Sequence, residues 1–269
     1  MGFEKFERVT STKNPRVAHI RELLGKRSAR EESAQFVVEG VRLCEEALLA
    51  GLVPSEVFFS RDLSPRGLAL LERAARSSCP VREVLSHVMN SLSETETSQG
   101  LLMVMPMRLL PIPEELNLIL VLDQIRDPGN FGTLLRTAIA SGVQAVFCTP
   151  GTVDPFSPKV LRSAMGAHFS LPIHSSPWQE IHALCKNRIT PLQILLAESE
   201  GGSSLWQRDL VPPTAIVIGG EAEGASKEVR ASVDGLIHIP MPGGNESLNA
   251  SIAGSIILFE IIRQRKNEN

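Results

Sequence analysis

Short, continuous apolar runs alternate with helical patterns along the second half of the chain. Runs such as LILVLDQ (118–124) and TAIVIGG (214–220) are almost wholly apolar, so the strands they predict must be buried on both faces. Segments such as NFGTLLRTAIASG (130–142) lie between them, with apolar residues at helical spacing and a closing glycine. Strands of this kind are typical of a parallel sheet covered by helices. The pattern therefore predicts an α/β fold built on a parallel sheet.

A proline-rich seam, MPMRLLPIPEEL (105–116), separates this half from the first. Its three prolines cannot lie inside a helix or a paired central strand. Before the seam, short strand-like runs again alternate with helical patterns. We therefore expect two domains, a smaller α/β domain over 1–107 and a larger one over 108–269.

Charge is distributed unevenly along the chain. The net charge is −3, yet residues 1–30 hold eight Lys or Arg against three Glu, a local charge of +5 that leaves −8 for the rest. A basic arm on an acidic body would attract phosphates. The alternative interpretation of residues 1–30 is a solvated helix surface.

Several classes of protein are disfavoured by the sequence. No apolar run is long enough to cross a membrane, and the N-terminus lacks the hydrophobic region of a secretory signal peptide. The four cysteines form no Cys-x-x-Cys pair, and the six histidines include no i, i+4 pair. We expect no metal site, no membrane association and a reducing, cytoplasmic location.

Three predicted strand-to-helix turns concentrate glycine and polar residues: DQIRDPGNFGTLLR (123–136), GGEAEGAS (219–226) and PMPGGNESLN (240–249). In open α/β sheets, ligands bind beyond the carboxyl ends of the strands, where these turns would lie. The chain contains no Gly-x-Gly, which disfavours a dinucleotide site. Glu221 and Glu223 would repel a phosphate from the second turn, which disfavours a nucleotide triphosphatase.

The three turns resemble the three motifs of SPOUT RNA methyltransferases of the SpoU/TrmH branch. The matching stretches are DPGNFG with RTA (127–132 and 136–138), IGGEAEG (218–224), and IPM with SLN (239–241 and 247–249). The resemblance covers about 118–266, and 1–107 looks like the ribosomal-protein-like substrate-binding domain of many members. It implies a trefoil-knotted C-terminal domain, S-adenosylmethionine as cofactor, and methylation of a ribose 2′-hydroxyl in RNA.

The resemblance also implies roles for individual residues. Residues expected to contact the cofactor, largely through the backbone, are Gly219, Gly220, Ile239, Met241, Leu248 and Asn249. Residues expected to act in catalysis are Asn130, Arg136, Glu221, Ser247 and Asn249. Residues of the basic arm expected to contact RNA phosphates are Lys13, Arg16, Lys26 and Arg27.

Two of these roles have a physical basis in the residue type. A guanidinium stays protonated and is a poor base, so Arg136 is expected to orient charge on the RNA, with Glu221 holding Arg136 or nearby backbone. Asn130 also suits a helix cap.

The last helix, predicted over 247–266, carries one charge between Leu248 and Ile262, that of Glu260. Such a helix should be buried nearly all round. Members of the resembled family form homodimers through this region, so we expect a homodimer. Ribosomal RNA is the favoured substrate. Transfer RNA and a non-catalytic RNA-binding or ribosome-assembly role remain alternatives.

Overall fold

The chain forms two compact units in a computed structural model. The structure describes residues 6–76, 79–94, 97–221, 223–244 and 247–266. The first unit comprises Met1–Arg108 and Phe156–Phe169, and the second comprises Leu109–Pro155 and Ser170–Asn269.

The first unit is built on a mixed five-stranded sheet. Its strands are β1 (Glu7–Val9), β2 (Gln35–Glu39), β3 (Glu56–Phe59), β4 (Val81–Val84) and β5 (Leu101–Pro106). Its helices are α1 (Pro15–Gly25), α2 (Arg27–Ser33), α3 (Val41–Leu49), α4 (Pro65–Arg76), α5 (Ser86–Asn90) and α7 (Pro158–Ala164). The strand order is β1-β4-β3-β5-β2, with β5 antiparallel to both of its neighbours. The predicted small α/β unit is therefore present.

The N-terminal basic segment is folded rather than an extended arm, where the structure describes it. Helix α1 buries Val17, Ile20 and Leu23 completely, in a cluster with β-strand residues of the first unit. Arg30, one of the eight basic residues, is itself buried and donates to the carbonyls of Leu23 and Leu24. The basic residues of this segment therefore lie on helices that pack in the first unit, and their attraction for phosphates stays a prediction.

One segment is separated in sequence from the unit in which it packs. Helix α7 lies between two elements of the second unit along the chain, yet it packs against β2. Leu161 and Phe169 are buried in the core of the first unit, and the Phe156 ring lies 5.1 Å from that of Phe36. The linear division at residue 107 stays a prediction for the domains.

The second unit contains the parallel sheet. Its strands are β6 (Leu118–Asp123), β7 (Ala145–Cys148), β8 (Ile173–Ser175), β9 (Gln193–Glu198), β10 (Ser203–Ser204), β11 (Thr214–Gly219) and β12 (Gly235–His238). Its helices are α6 (Pro128–Ala140), α8 (Trp178–Lys186), α9 (Lys227–Ser232) and α10 (Ala250–Lys266). The strand order is β10-β12-β9-β11-β6-β7-β8, and each of these pairings is parallel. The α/β prediction with a parallel sheet is confirmed.

Helices α6 and α10 pack together on this sheet. Helix α6 buries a stripe formed by Phe131, Leu134, Leu135 and Ala138. Helix α10 approaches closely through Gly254, where a Cβ atom would lie 2.5 Å from Leu134 Cδ2. A larger residue at Gly254 would therefore require the Leu134 side chain to move.

Helix α10 is less buried in the single chain than the sequence predicted. Ile252 and Phe259 are each 52% exposed, and Ile139 on the neighbouring α6 is 43% exposed. The expectation of burial on all sides was wrong for the isolated chain, because the described residues leave Ile252 and Phe259 exposed. Among the described helices, none combines the length and the apolar composition needed to cross a membrane.

Candidate active site

Three loops leave the carboxyl ends of strands in the parallel sheet. Strands β6 and β11 are neighbours, with Asp123 opposite Gly219, so the loops after them begin at the same level. Strand β12 is separated from β11 by β9 alone. The three turns singled out in the sequence therefore meet at one edge of the sheet.

The first loop is fixed by two aspartates. Asp123 is buried at the end of β6 and accepts hydrogen bonds from Thr149 Oγ1 and, at 2.6 Å, from the backbone N–H of Ser226. Asp127 caps α6, since its Oδ1 accepts from the Asn130 backbone N–H at 2.8 Å. The cap role expected for Asn130 thus belongs to Asp127, and the Asn130 side chain is free for other contacts.

The glycines of the second loop are required by the chain's own backbone. A Cβ atom on Gly219 would lie 2.4 Å from the Ala225 nitrogen, and one on Gly220 would lie 2.6 Å from the Gln124 carbonyl oxygen. Gly220 and Gly224 exchange two backbone hydrogen bonds of 3.1 and 3.0 Å. These hydrogen bonds close a tight loop that contains the exposed Glu221. The loop places the Glu221 carboxylate within hydrogen-bond distance of Asn130 on α6.

The third loop ends in the cap of α10. Asn249 Oδ1 accepts from the backbone N–H groups of Ser251, at 2.9 Å, and Ile252, at 3.3 Å. The helix therefore begins at Ala250, three residues later than predicted, and leaves Ser247 in the loop. Residues 245–246 lie outside the described residues.

Asn130 joins all three loops through its side-chain amide. Its Nδ2 donates to Glu221 Oε1 at 2.8 Å, while its Oδ1 accepts from Asn249 Nδ2 at 2.9 Å and from Ser251 Oγ at 3.2 Å. The sequence predicts that Glu221 holds Arg136 or nearby backbone, whereas in the structure Glu221 accepts from Asn130. We call Asn130, Glu221, Asn249 and Ser251 the amide hub.

Ser251 was missed as a site residue. No role was expected for it, yet its buried hydroxyl reaches both Asn130 Oδ1 and Asn249 Oδ1, the latter at 2.6 Å. Its position two residues after the Asn249 cap is the local signal that could have found it. Thr137 and Ser255 continue the contact between the two helices with a 2.9 Å hydroxyl pair.

A cavity of about 550 Å³ lies beside the hub. The residues predicted to contact a cofactor or to act near it that line this cavity are Gly219, Gly220, Glu221, Ile239, Met241, Ser247, Leu248 and Asn249. Ile218 and Ile257 add apolar wall, while Glu198 and Arg230, which the sequence did not single out, add charge. Cavities of about 300–1,000 Å³ with apolar walls and a few polar groups are typical of small-ligand sites. The cavity therefore fits a cofactor with an apolar base and polar substituents.

Arg136 does not line this cavity. It is exposed on α6, and no hydrogen bond or ion pair links its side chain to another described residue. It lies six residues beyond Asn130, about 9 Å further along the helix axis. The structure thus separates Arg136 from the other predicted catalytic residues.

The predicted RNA-contacting side chains lie on the surface of the first unit, and three of the four are paired. Arg16 contacts Glu7 and Glu56, Lys26 contacts Glu22, and Arg27 contacts Glu31. Lys13 is exposed. Exposed pairs contribute only about 0–1 kcal/mol each, so phosphates could displace them at small cost.

Other chemistries find little support in the described residues. Burial raises the pKa of the Cys185 thiol to about 12, and burial raises that of Cys44 even further. Thiols held in the protonated form are poor nucleophiles. Within the described ranges, no cluster of three or more His, Cys, Asp or Glu could hold a metal ion.

Two family models match the chain. Residues 117–259 match the SpoU rRNA Methylase family, and residues 14–103 match the MRM3-like substrate binding domain.

Individual relatives cover nearly the whole length. An uncharacterised tRNA/rRNA methyltransferase of Synechocystis is 33% identical over 96% of this chain and 94% of its own. The 23S rRNA (guanosine(2553)-2′-O)-methyltransferase of Bacillus subtilis is 29% identical over 95% of this chain and 99% of its own. The crystal structure of the SpoU methyltransferase AviRb from Streptomyces viridochromogenes with AdoMet aligns with a TM-score of 0.85, at 27% identity, over 94% of this chain and 100% of that chain.

Proposed function

This chain belongs to the SpoU rRNA methylase family, and from that premise we propose that it transfers a methyl group from S-adenosylmethionine to a ribose 2′-hydroxyl of ribosomal RNA. The observation that carries the proposal is the 550 Å³ cavity, whose lining includes the six residues expected at the cofactor. The amide hub stands at the edge of this cavity. A relative that methylates 23S rRNA, similar over almost its whole length, supports the choice of RNA.

The residues of the cavity would act by positioning. S-adenosylmethionine supplies, when bound, a methyl group already activated by a positively charged sulfur. Gly219, Ile239 and Leu248 would hold it through backbone groups, with Gly220 and Met241 completing the wall. Holding two reactants in line is worth about 7–11 kcal/mol at best, so rigid loops matter more here than strong acids or bases.

The hub would hold the ribose in place. Asn130 is fixed by Glu221 on one side and Asn249 on the other, and Ser247 lies in the adjacent loop on the cavity wall. We assign these side chains to orienting the hydroxyl that is methylated. Arg136, exposed on α6, is assigned to the RNA phosphates rather than to the cofactor.

The direct test combines binding and turnover. Calorimetry should show S-adenosylmethionine binding, and the protein should transfer labelled methyl groups to a ribosomal RNA fraction at ribose 2′-oxygens. Transfer confined to the transfer RNA fraction would replace the proposed substrate, and the Synechocystis relative is named for both RNA classes. Cofactor binding and methyl transfer both failing in folded protein would leave a non-catalytic RNA-binding role.

A homodimer is the second part of the proposal. Ile252 and Phe259 lie two turns apart on one face of α10, and Ile139 is an exposed apolar residue of the neighbouring α6. An exposed apolar face of this kind marks an interaction site. A second copy of the chain is the occupant we propose, in line with the family resemblance.

Phe259→Glu is expected to convert the dimer to a monomer, because two carboxylates would be buried at a symmetric interface. Sedimentation velocity at micromolar concentration measures the change. Leu49→Glu is the matched control, since Leu49 is 62% exposed on α3 of the first unit, and it should leave the mass unchanged. Wild-type protein that sediments as a monomer would contradict the proposal.

The RNA surface of the first unit can be tested by charge removal. Deleting residues 1–30 would remove the buried Val17, Ile20 and Leu23, so substitutions at the surface are the sharper experiment. Replacing Lys13, Lys26 and Arg27 together by Gln should weaken RNA binding and reduce the slope of log K against log salt by about 2–3, at about 0.7–0.9 per lost phosphate contact. Lys266→Gln, at the exposed end of α10, is the control. An unchanged slope in the triple variant would leave these residues as a solvated surface.

We also propose the cytoplasm as the compartment, since the relative from Bacillus subtilis acts on 23S rRNA.

The trefoil knot of the second unit, which the family resemblance implies, stays a prediction.

A further inference from the structure

A charged pair stands on the wall of the cavity outside the three recognised loops. Glu198 is the last residue of β9, and its Oε1 lies 2.7 Å from Arg230 Nη2 on α9. Both residues line the 550 Å³ cavity. Strand β9 lies between β11 and β12, so Glu198 stands between the loop that begins at Gly219 and the one that carries Ile239.

The pair is unlike an ordinary surface ion pair. The Glu198 side chain is only 14% exposed, while that of Arg230 is 46% exposed. Pairing with a half-exposed arginine returns little free energy, whereas removing a carboxylate from water is costly. A carboxylate offers about four acceptor positions, and one arginine occupies few of them. Glu198 therefore presents unused acceptor capacity at the cavity wall.

We propose that Glu198, oriented by Arg230, accepts hydrogen bonds from the vicinal ribose hydroxyls of S-adenosylmethionine, an inference that rests on the proposed function. A diol presents two neighbouring donors, which a single carboxylate can accept together. Carboxylates that follow strands of nucleotide-binding α/β sheets bind ribose hydroxyls in the same manner. Glu198 is then a cofactor-binding residue, and Arg230 is a positioning residue.

The amino group of the cofactor is the competing partner for this carboxylate. A neutral hydroxyl can approach Glu198 beside the guanidinium without electrostatic cost. An ammonium group would enter the field of Arg230, whose nitrogen already lies 2.7 Å from the carboxylate oxygen, and like charges at such range repel. The geometry therefore favours the diol.

Calorimetry with two nucleosides separates the two partners. The first ligand is S-adenosylhomocysteine, which has both the ribose and the amino acid. The second is 5′-methylthioadenosine, which keeps the ribose but lacks the amino acid. Glu198→Gln should weaken both by the same factor, about ten- to a hundredfold for hydrogen bonds to a charged acceptor. The 2′-deoxy form of methylthioadenosine should bind wild-type protein more weakly by a similar factor and should lose little more in the variant.

Controls address folding and the role of Arg230. Glu200→Gln, an exposed glutamate two residues further on, should bind both ligands as the wild type does, and thermal unfolding should show Glu198→Gln folded. Arg230→Met should weaken both ligands less than Glu198→Gln does, and the double variant should be no weaker than Glu198→Gln alone, because the arginine acts through the carboxylate.

The outcomes that overturn this inference are distinct from failure of the proposed function. Weakened binding of S-adenosylhomocysteine alone would assign Glu198 to the amino group, and unchanged binding of both ligands would remove it from the site. Wild-type protein that binds neither S-adenosylmethionine nor S-adenosylhomocysteine would instead contradict the proposed function itself.

Discussion

Arg136→Ala is expected to lower methyl transfer to RNA at least about a hundredfold, the loss typical when one charge-stabilising donor is removed. S-adenosylmethionine should bind this variant within about tenfold of wild type, because binding and turnover report different interactions. Calorimetry for the cofactor and single-turnover transfer for the reaction measure the two quantities in the same preparation.

The expected split follows from where Arg136 lies. The side chain is exposed on α6 and is absent from the lining of the cavity, so its loss removes no contact at the proposed cofactor site. A guanidinium can bind a phosphate in a bidentate manner, and this fits a role on the RNA. Weaker RNA binding should accompany the loss of rate.

Arg136→Lys sharpens the test. Lysine keeps the positive charge but lacks the planar fork, so it should restore RNA affinity more than it restores transfer. Loss of cofactor binding in Arg136→Ala, with transfer per bound cofactor unchanged, would contradict the assignment to the RNA side.

The parallel sheet could be predicted from sequence because its strands are buried on both faces. Strands such as β6 and β11 read as unbroken apolar runs, and this pattern depends only on local composition. The burial of the N-terminal helix α1 was not predicted. The net charge of +5 over residues 1–30 determined the interpretation of this segment, although Val17, Ile20 and Leu23 give α1 a buried face.

The parts of the site that escaped prediction depend on contacts distant in sequence. Glu198 reaches the cavity wall because β9 lies between β11 and β12, and no local pattern encodes that order. The partner of Glu221 is Asn130, 91 residues away, so the choice between Asn130 and Arg136 could not be made from spacing. The recognised motifs nevertheless supplied most of the residues that line the cavity.

Asn130→Ala should have the second large effect, and it should differ from that of Arg136→Ala. The substitution removes three side-chain hydrogen bonds and leaves Glu221, Asn249 and Ser251 without their shared partner. We expect transfer to fall at least about a hundredfold, and stability to fall by about 0.5–1.5 kcal/mol, because the exposed Glu221 and Asn249 regain hydrogen bonds to water. Chemical denaturation and single-turnover transfer measure the two effects.

Cofactor affinity distinguishes the hub from the exposed arginine. Asn249 lines the cavity and caps α10, so loosening it through Asn130 should weaken S-adenosylmethionine binding by about tenfold or more, through lost preorganisation. Thr133→Ala, at an exposed position of the same helix, is the control and should leave affinity and rate near wild type.

Asn130→Asp separates the two sides of the hub. Aspartate can still accept from Asn249 and Ser251, but it cannot donate to Glu221, and its charge would repel that carboxylate. If the contact with the third loop is what holds the cofactor, Asn130→Asp should keep more cofactor affinity than Asn130→Ala while transfer stays low. Equal loss of cofactor affinity in both variants would show that the hydrogen bond to Glu221 is also needed for cofactor binding. If Asn130→Ala transfers methyl groups at the wild-type rate, the amide hub has no part in the mechanism, because its hydrogen bonds would then not be needed to position the reactants.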